Sequence, residues 1–411
     1  MSYDIMVIGG GAAGLMAACT AADSGKEVIL LEANDSLGKK ILSTGNGRCN
    51  FTNDYMGEEC FRTDSDQEKM KHVLESFSKD DTLAFFEKMG VCPKIRFGTG
   101  YYPLSMQASQ VRDAFCYAIK KRNITVVTNF KCKTITQHTS GYKAVSEEGK
   151  SFTGTKCIIA TGGLAAPKSG SDGAMFHFLK ASGFKTKDVV PALVPLRCKE
   201  NFFKKLQGVR WESKVSYKNA EGRCISNQGE LQFTKEGISG IPVFQISRFI
   251  AKDLLRKKSC EVQIDLYPDF SQETLQKLLE MRFYEEGWYK TNREALVGLM
   301  HDKLIDVILQ EAGIPSEQMA SSISEGQLRS MIRLCKKFTV TVTDTKGFEF
   351  SQTTAGGIDL SSVSSELEYV GYPGLYFAGE ILDVDGICGG YNLQWAWASG
   401  YMAGRSASDE R

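Results

Sequence analysis

Thirty residues at the N-terminus constrain this chain more than any other stretch. An apolar run, Tyr3 to Ile8, leads into Gly9-Gly10-Gly11-Ala12-Ala13-Gly14. A helical pattern follows from Leu15 to about Ser24, and Gly25 stands where a helix C-terminus needs a residue tolerant of positive φ. A second apolar run, Glu27 to Leu31, ends in Glu32. Strand, glycine turn, helix, strand and acid in this order make a βαβ dinucleotide-binding unit. Each part has a task. Gly9 permits the tight turn, Gly11 lets the backbone approach a pyrophosphate, and Gly14 lets the helix pack closely on the strand. The helix N-terminus offers unpaired N–H groups and partial positive charge to phosphates. Glu32 is placed for ribose hydroxyls, and an acid there disfavours a 2′-phosphate, so the expected nucleotide is NAD or FAD rather than NADP.

Composition narrows the class. The 411 residues contain 40 glycines, about 10%, against a usual ~7%. Only nine prolines accompany them, so the excess is not that of a collagen-like or disordered chain. A formal net charge of +1 shows no global field for nucleic acid or an anionic membrane. No apolar stretch approaches a membrane span, and the N-terminus lacks the basic region of a signal peptide. Twelve cysteines without a CxxC pair, and four histidines far apart, predict free thiols, no metal site and a reduced, cytoplasmic chain.

Further along, Glu68 to Met89 and Val111 to Lys121 read as helices, and Thr125 to Thr128, Phe130 to Ile135 and Cys157 to Ala160 as strands. From about Pro191 to Thr353 the pattern becomes strand-like alternation, with a charged helical stretch from about Gln272 to Leu309 and another near Glu325 to Leu334. After Thr353 the glycine-rich α/β character returns. The expected fold is α/β: a Rossmann-like FAD-binding domain of the glutathione-reductase type, residues 1–190 and 353–411, interrupted by an insertion. Residues 191–270 and 335–352 form its β-rich, barrel-like part, and 271–334 a helical subdomain.

Three more segments carry chemistry. The loop Gly38 to Asn50 is polar, basic and glycine-broken, suited to backbone approach and to phosphate or an electron-rich ring. Ala160-Thr161-Gly162-Gly163 is a strand end that can reach the same nucleotide. Near the C-terminus, strand, glycine and acid (Gly374 to Glu380) precede a glycine turn into a helix at Gly389 to Gln394. Glu380 suits a ribityl hydroxyl. The helix starting near Asn392 would aim its N-terminal dipole at the N1/O2 edge of a reduced flavin.

These blocks resemble the BaiN / aminoacetone-oxidase / RdsA-like family of NAD(P)/FAD-dependent oxidoreductases, whose bacterial members include rRNA dihydrouridine synthases. The carrying stretches are GGGAAGLMAA at Gly9 to Ala18, GKKILSTGNGRCNFTN at Gly38 to Asn53, and PALVPL at Pro191 to Leu196. GELQFTKEGISG at Gly229 to Gly240, TTAGGI at Thr353 to Ile358, and the run from Gly374 to Gly400 complete the set. One departure is Lys235, where many family members carry His. The resemblance implies FAD, with Gly9, Gly11, Ala12, Ala13, Gly14, Glu32 and Ala33 at its ADP half. Lys39, Lys40, Gly47, Arg48, Cys49 and Asn50 would run beside the flavin half. Ala160, Thr161 and Gly162 would flank the nucleotide, and Cys132 would meet adenine through its backbone. Gly379, Glu380, Gly390, Asn392 and Leu393 would close over the ribityl chain and pyrimidine ring.

The expected activity is hydride transfer from reduced flavin to an activated C=C of a small molecule, of the bile acid or steroid enone type. NAD(P)H would be a transient donor, bound without a Rossmann unit of its own, since no second GxGxxG exists. Alternatives are a dihydrouridine synthase acting on 23S rRNA, an aminoacetone oxidase using O₂, and a non-catalytic flavin-binding RNA-interaction module. Protonation must accompany hydride transfer, which makes Asp383, Asp385 and Tyr391 candidate proton donors; turn, capping or packing roles suit them equally. Cys49 and Cys388 lie in flavin-side motifs, but without a CxxC partner they read as packing residues. Trp395 and Trp397, at i and i+2, face different sides of their helix. The basic clusters Lys120-Lys121-Arg122, 252–258 and 329–337 read mainly as solvated helical faces, with RNA contact the alternative.

Overall fold

A computed structural model of the chain describes residues 2–409. They form two compact units, one running to Val190 and resuming at Gln352, the other spanning Pro191–Ser351.

In the first unit the βαβ start forms as its sequence requires. Strand β1 (Ser2–Ile8) leads through the glycine turn to helix α1 (Ala12–Asp23) and on to β2 (Val28–Leu31). The sheet continues with β3 (Thr125–Val127), β4 (Cys132–His138), β5 (Gly141–Ser146), β6 (Ser151–Ile159) and β7 (Leu375–Phe377). Its order is β3-β2-β1-β6-β5-β4, and β7 also pairs with β6. The strands around the turn are parallel, with Ile8 opposite both Leu31 and Ile159. Ile5 to Ile8 and Val28 to Leu31 are all buried, as unbroken apolar runs in a sheet covered on both faces must be.

The long C-terminal helix α2 (Tyr391–Ser408) packs along α1. Glycines set the spacing. A Cβ at Gly400 would lie 2.4 Å from the Ala13 carbonyl oxygen, and one at Gly404 2.5 Å from that of Ala17. The predicted helix from Glu68 to Met89 is instead two helices, Gln67–Ser76 and Lys79–Lys88. Ser78 starts the second with a capping box shared with Asp81, and the reciprocal bonds outcompete continuation of the first.

The second unit holds a closed six-stranded barrel, ordered Leu196–Cys198, Gly237–Gly240, Cys224–Thr234, Arg210–Lys218, Cys260–Asp265, Phe338–Thr345. Alternation fills its interior: Val215 and Tyr217, Val262 and Ile264, Val340 and Val342 are buried. Residues 241–255, within the stretch expected to alternate as strand, form a helix, Ile241–Leu255. Pro242 in its first turn and buried Val243, Ile246 and Ile250 give it a helical face that packs on the barrel. The stretch predicted as helical from Gln272 to Leu309 is broken into Gln272–Glu280, a π-helical turn, Asn292–Ala295 and Asp302–Glu311. These helices share one hydrophobic core with the barrel.

The α1–α2 contact yields a direct test. Gly400→Ala forces a methyl against a backbone carbonyl that cannot rotate away. It should destabilise the protein by about 1–3 kcal/mol, read as a lower urea midpoint at unchanged m-value, whereas Gly25→Ala, with open space around it, isolates the cost of a positive φ alone.

Candidate cofactor and active site

The turn after β1 opens into a cavity of about 380 Å³ built from residues of the first unit. Gly9 to Ala13, Glu32 to Asn34, Gly38 to Ile41, Thr44, Ala160 to Gly162, Gly379, Glu380, Asn392 and Leu393 border it, with Cys132 beside them.

The three motif glycines divide the work. A Cβ at Gly9 would sit 2.4 Å from the Ala160 carbonyl oxygen, and one at Gly14 only 1.8 Å from that of Gly9. Both serve packing. A Cβ at Gly11 would meet nothing within 4 Å, so this position faces the open cavity. Gly11 is also the N-cap of α1, with no side-chain cap and no acid in the first turn. Donors at this helix end are left for an anion. The α2 N-terminus has the same character: Gly390 caps it at φ 94°, again without a side-chain cap or first-turn acid.

Glu32 and Glu380 are two of the carboxylates on the cavity wall, together with Asp172. Glu32 is 7% exposed. Its Oε2 accepts from the Gly10 N–H at 2.6 Å, and its Oε1 from the backbone N–H and Nδ2 of Asn34, both at 2.7 Å. Asn34 Nδ2 also donates to the Ser169 carbonyl at 3.1 Å, fastening the cavity-lining segment 167–173 beside the same acid. Glu380 is gripped differently. Its Oε2 takes Lys40 Nζ at 2.6 Å, and its Oε1 accepts from the Thr354 N–H at 3.0 Å.

Comparison with known proteins decides what this architecture belongs to. Residues 3–406 match the family model "HI0933-like protein Rossmann domain". The chain belongs to the HI0933-like family. It is 39% identical, over 98% of its length and 99% of the relative's, to a 3-dehydro-bile acid delta(4,6)-reductase of Clostridium scindens. A ribosomal RNA dihydrouridine synthase of Escherichia coli is 28% identical over 97% of this chain and 96% of its own. Among solved structures, a 3-ketosteroid delta1-dehydrogenase from Sterolibacterium denitrificans shares the fold, with TM-score 0.51, 13% identity and 99% coverage of both chains. The HI0933-like chain is an oxidoreductase with a Rossmann-type FAD fold.

The cavity fits a flavin dinucleotide on the chain's own evidence. Besides the open face at Gly11, the hydroxyl oxygen of cavity-lining Thr161 is buried without a hydrogen-bond partner. A buried hydroxyl in that state calls for a polar ligand. Of the residues expected around FAD, Gly9, Gly11, Ala12, Ala13, Glu32, Ala33, Lys39, Lys40, Cys132, Ala160, Thr161, Gly162, Gly379, Glu380, Asn392 and Leu393 border the cavity. Gly14, Gly47, Arg48, Cys49, Asn50 and Gly390 do not. Gly14 lies under the turn. Gly47 to Asn50 belong to the turn after Thr44, whose carbonyl accepts from the Arg48 and Cys49 N–H groups. Gly390 closes on the Thr52 carbonyl, which a Cβ would meet at 2.8 Å. Thr44, within the loop from Gly38 to Asn50, borders the cavity too, whereas sequence reading missed Asn34, Gln352, Val384 and the segment 167–173, all of which line it. For that segment Pro167, Gly170 and Gly173, a cluster of turn formers, was the available signal.

None of the three candidate proton donors borders the cavity. Asp383 is fully buried, and its Oδ2 accepts from Thr63 Oγ1, the Asp64 N–H and Ser65 Oγ at 2.8–3.1 Å, stapling that turn. Asp385 is 1% exposed, in the short strand Asp385–Gly386 that pairs with Phe61–Arg62. Tyr391 is 4% exposed; burial, followed by its hydrogen bond with the Cys60 thiol, pushes its pKa upward. The tryptophans divide as their spacing requires. Trp395 borders the cavity and donates to the Gly379 carbonyl, while Trp397 is buried and donates to that of Phe51.

Two tests follow from this geometry. Gly11→Val has room in the fold but fills the cofactor's approach. The variant should purify without yellow colour yet keep the wild-type apoprotein's melting temperature, whereas Gly14→Val should fail on both counts. Cys49 is fully buried, and burial pushes its thiol up to about 12. On the order of 10⁻⁴ of it is thiolate at pH 8. Mass-spectrometric footprinting with iodoacetamide should leave Cys49 unmodified in the folded protein while exposed Cys92 and Cys224 react; rapid alkylation of Cys49 would restore a redox role.

Proposed function

We propose that this HI0933-like chain is a flavin-dependent reductase of an activated C=C, an enone on a compact apolar skeleton, with NAD(P)H as the electron source. One observation carries the reading: the unfilled N-termini of two helices, α1 and α2, border a single cavity between Glu32 and Glu380. Two separated anion-favouring points along one trough suit a molecule with a pyrophosphate in its middle and an electron-rich ring at one end. The 39% identity to a bile acid reductase supports the enone as the acceptor.

The residues then have definite tasks. The α1 N-terminus and the open face of Gly11 hold the pyrophosphate. Glu32 exchanges part of its hold on Asn34 for ribose hydroxyls. Lys40 and Glu380, paired at 2.6 Å, orient the ribityl side. The α2 N-terminus, through Asn392 and Leu393, favours negative charge on the adjacent ring edge. Val384, Trp395 and Ala396 exclude water from the cavity wall. Bound FAD supplies the two-electron hydride chemistry that no side chain can.

Anaerobic stopped-flow absorbance tests the assignment. NADH or NADPH should bleach the visible flavin band, and an enone should restore it within turnover time. Recovery only on admitting O₂ would identify an oxidase instead. Recovery only with unmodified 23S rRNA would identify a dihydrouridine synthase, and no bleaching by either donor would reject the reductase.

A further inference from the structure

A surface beside the cavity is left unexplained by cofactor binding. The edge strand Pro93–Arg96 pairs with Gly100–Pro103, which pairs in turn with Thr52–Asn53. Side chains at this hairpin's tip face solvent. Phe97 is 69% exposed and Ile95 44%, and Lys94 and Arg96 are exposed beside them. The exposed Arg48 lays its guanidinium over the Phe97 ring, 5.1 Å from the centroid. Among the described residues, Arg48, Lys94 and Arg96 have no carboxylate partner. Asp54, directly after the adjoining strand, is engaged by Lys79 at 3.0 Å. Phe97 itself is held at φ 50°, a conformation unusual for an aromatic residue.

Position connects this surface to the flavin-side end of the cavity. The turn bearing Arg48 hangs from Thr44, a lining residue, through N–H bonds of 3.2 and 3.0 Å to its carbonyl. The strand Thr52–Asn53, to which the hairpin is paired, lies under Gly389 and Gly390 at the start of α2. Asn53 Nδ2 holds the Gly389 carbonyl at 2.8 Å. Three cations without a carboxylate partner and an exposed aromatic ring therefore stand on the surface that is tied, through the Arg48 turn, to lining residue Thr44.

We propose that Arg48, Lys94, Arg96 and Phe97 form the docking surface for the pyridine dinucleotide that reduces the flavin. The inference rests on the reading of a diffusible donor given above. Two phosphates need several cations, and guanidinium groups take phosphate oxygens in pairs. A flat base gains from stacking on an exposed ring. A donor that must leave after each turnover is served by a shallow, solvent-facing surface rather than by a second glycine-turn fold, and the sequence contains no second GxGxxG.

The test uses the flavin-loaded protein and its Arg96→Gln, Lys94→Gln and Phe97→Ala variants. Binding of NADP⁺ and NAD⁺ to the oxidised holoprotein is measured by calorimetry, and bleaching by NADPH and NADH by stopped flow. Each charge removal should weaken dinucleotide binding by about tenfold and flatten its dependence on salt. Flavin content, and reoxidation of dithionite-reduced protein by an enone, should stay at wild-type values. Unchanged dinucleotide affinity in all three variants, with bleaching intact, overturns this surface but leaves the reductase standing. Loss of binding to a 23S rRNA fragment at unchanged dinucleotide affinity overturns it in favour of an RNA contact. Failure of both NADH and NADPH to bleach the wild type removes both readings together.

Discussion

Helix α1 lies so close to its neighbours that glycine is needed at Gly14, Gly400 and Gly404 along the contact. Gly14 touches the Gly9 carbonyl on one side, and Gly400 and Gly404 of α2 touch the carbonyls of Ala13 and Ala17 on the other. This close approach fixes where the N-terminus of α1 points, and with it the donors that face the cavity. It also locates α2, whose first turn supplies the second electropositive end. A larger residue at any of these positions would shift a whole helix. Interiors at crystal-like density have no slack to absorb such a shift locally. The cofactor cavity is thus a consequence of backbone-to-backbone packing, and side chains refine it afterwards.

The charges in the cavity follow the same logic. Glu32 is held by Gly10, 22 residues before it, and by neighbouring Asn34, and Glu380 by the distant Lys40 and Thr354. Their bonds fix the turn, the segment 167–173 and the end of β7 relative to one another without filling the space between them. A carboxylate whose lone pairs are partly engaged by backbone N–H groups keeps its orientation and can still accept a ligand hydroxyl. This explains how the trough keeps its shape while leaving donors such as those beside Gly11 unsatisfied.

Legibility in the sequence followed the reach of each interaction. The βαβ unit could be read because its constraints are local: spacing of glycines, an apolar run, an acid at a strand end. Of the helix Ile241–Leu255 the sequence showed only the basic end from 252, because its earlier turns lie in a stretch whose surroundings alternate with period two. The break at Ser78 lay in a capping box that a periodicity count passes over. Asp383, Asp385 and Tyr391 were singled out by proximity in sequence to flavin-side motifs. Which way a residue faces in a chain turning every two or three residues depends on contacts hundreds of positions away, such as Thr63 to Ser65 for Asp383. Asn34 was invisible for the same reason, since its partner Ser169 is 135 residues on.

With Asp383 and Tyr391 turned into the core, the carboxylates that border the cavity among the described residues are Glu32, Asp172 and Glu380, and this bears on the proposed chemistry. Enone reduction needs a proton at the carbon next to the carbonyl, and the site must draw it from a group that faces substrate or from water. The lining carboxylate Asp172 pairs with Lys131 at 3.2 Å. Glu32 is committed to the turn and Glu380 to Lys40, each by bonds of 2.6–2.7 Å. Removing either from its partners to serve as an acid would dismantle the wall that orients the cofactor. The glycine-rich unit is therefore specialised for holding the electron carrier. In the proposed reduction the proton would come from water or from a group that does not hold the cofactor wall, where residues can vary without disturbing the packing of α1 on α2.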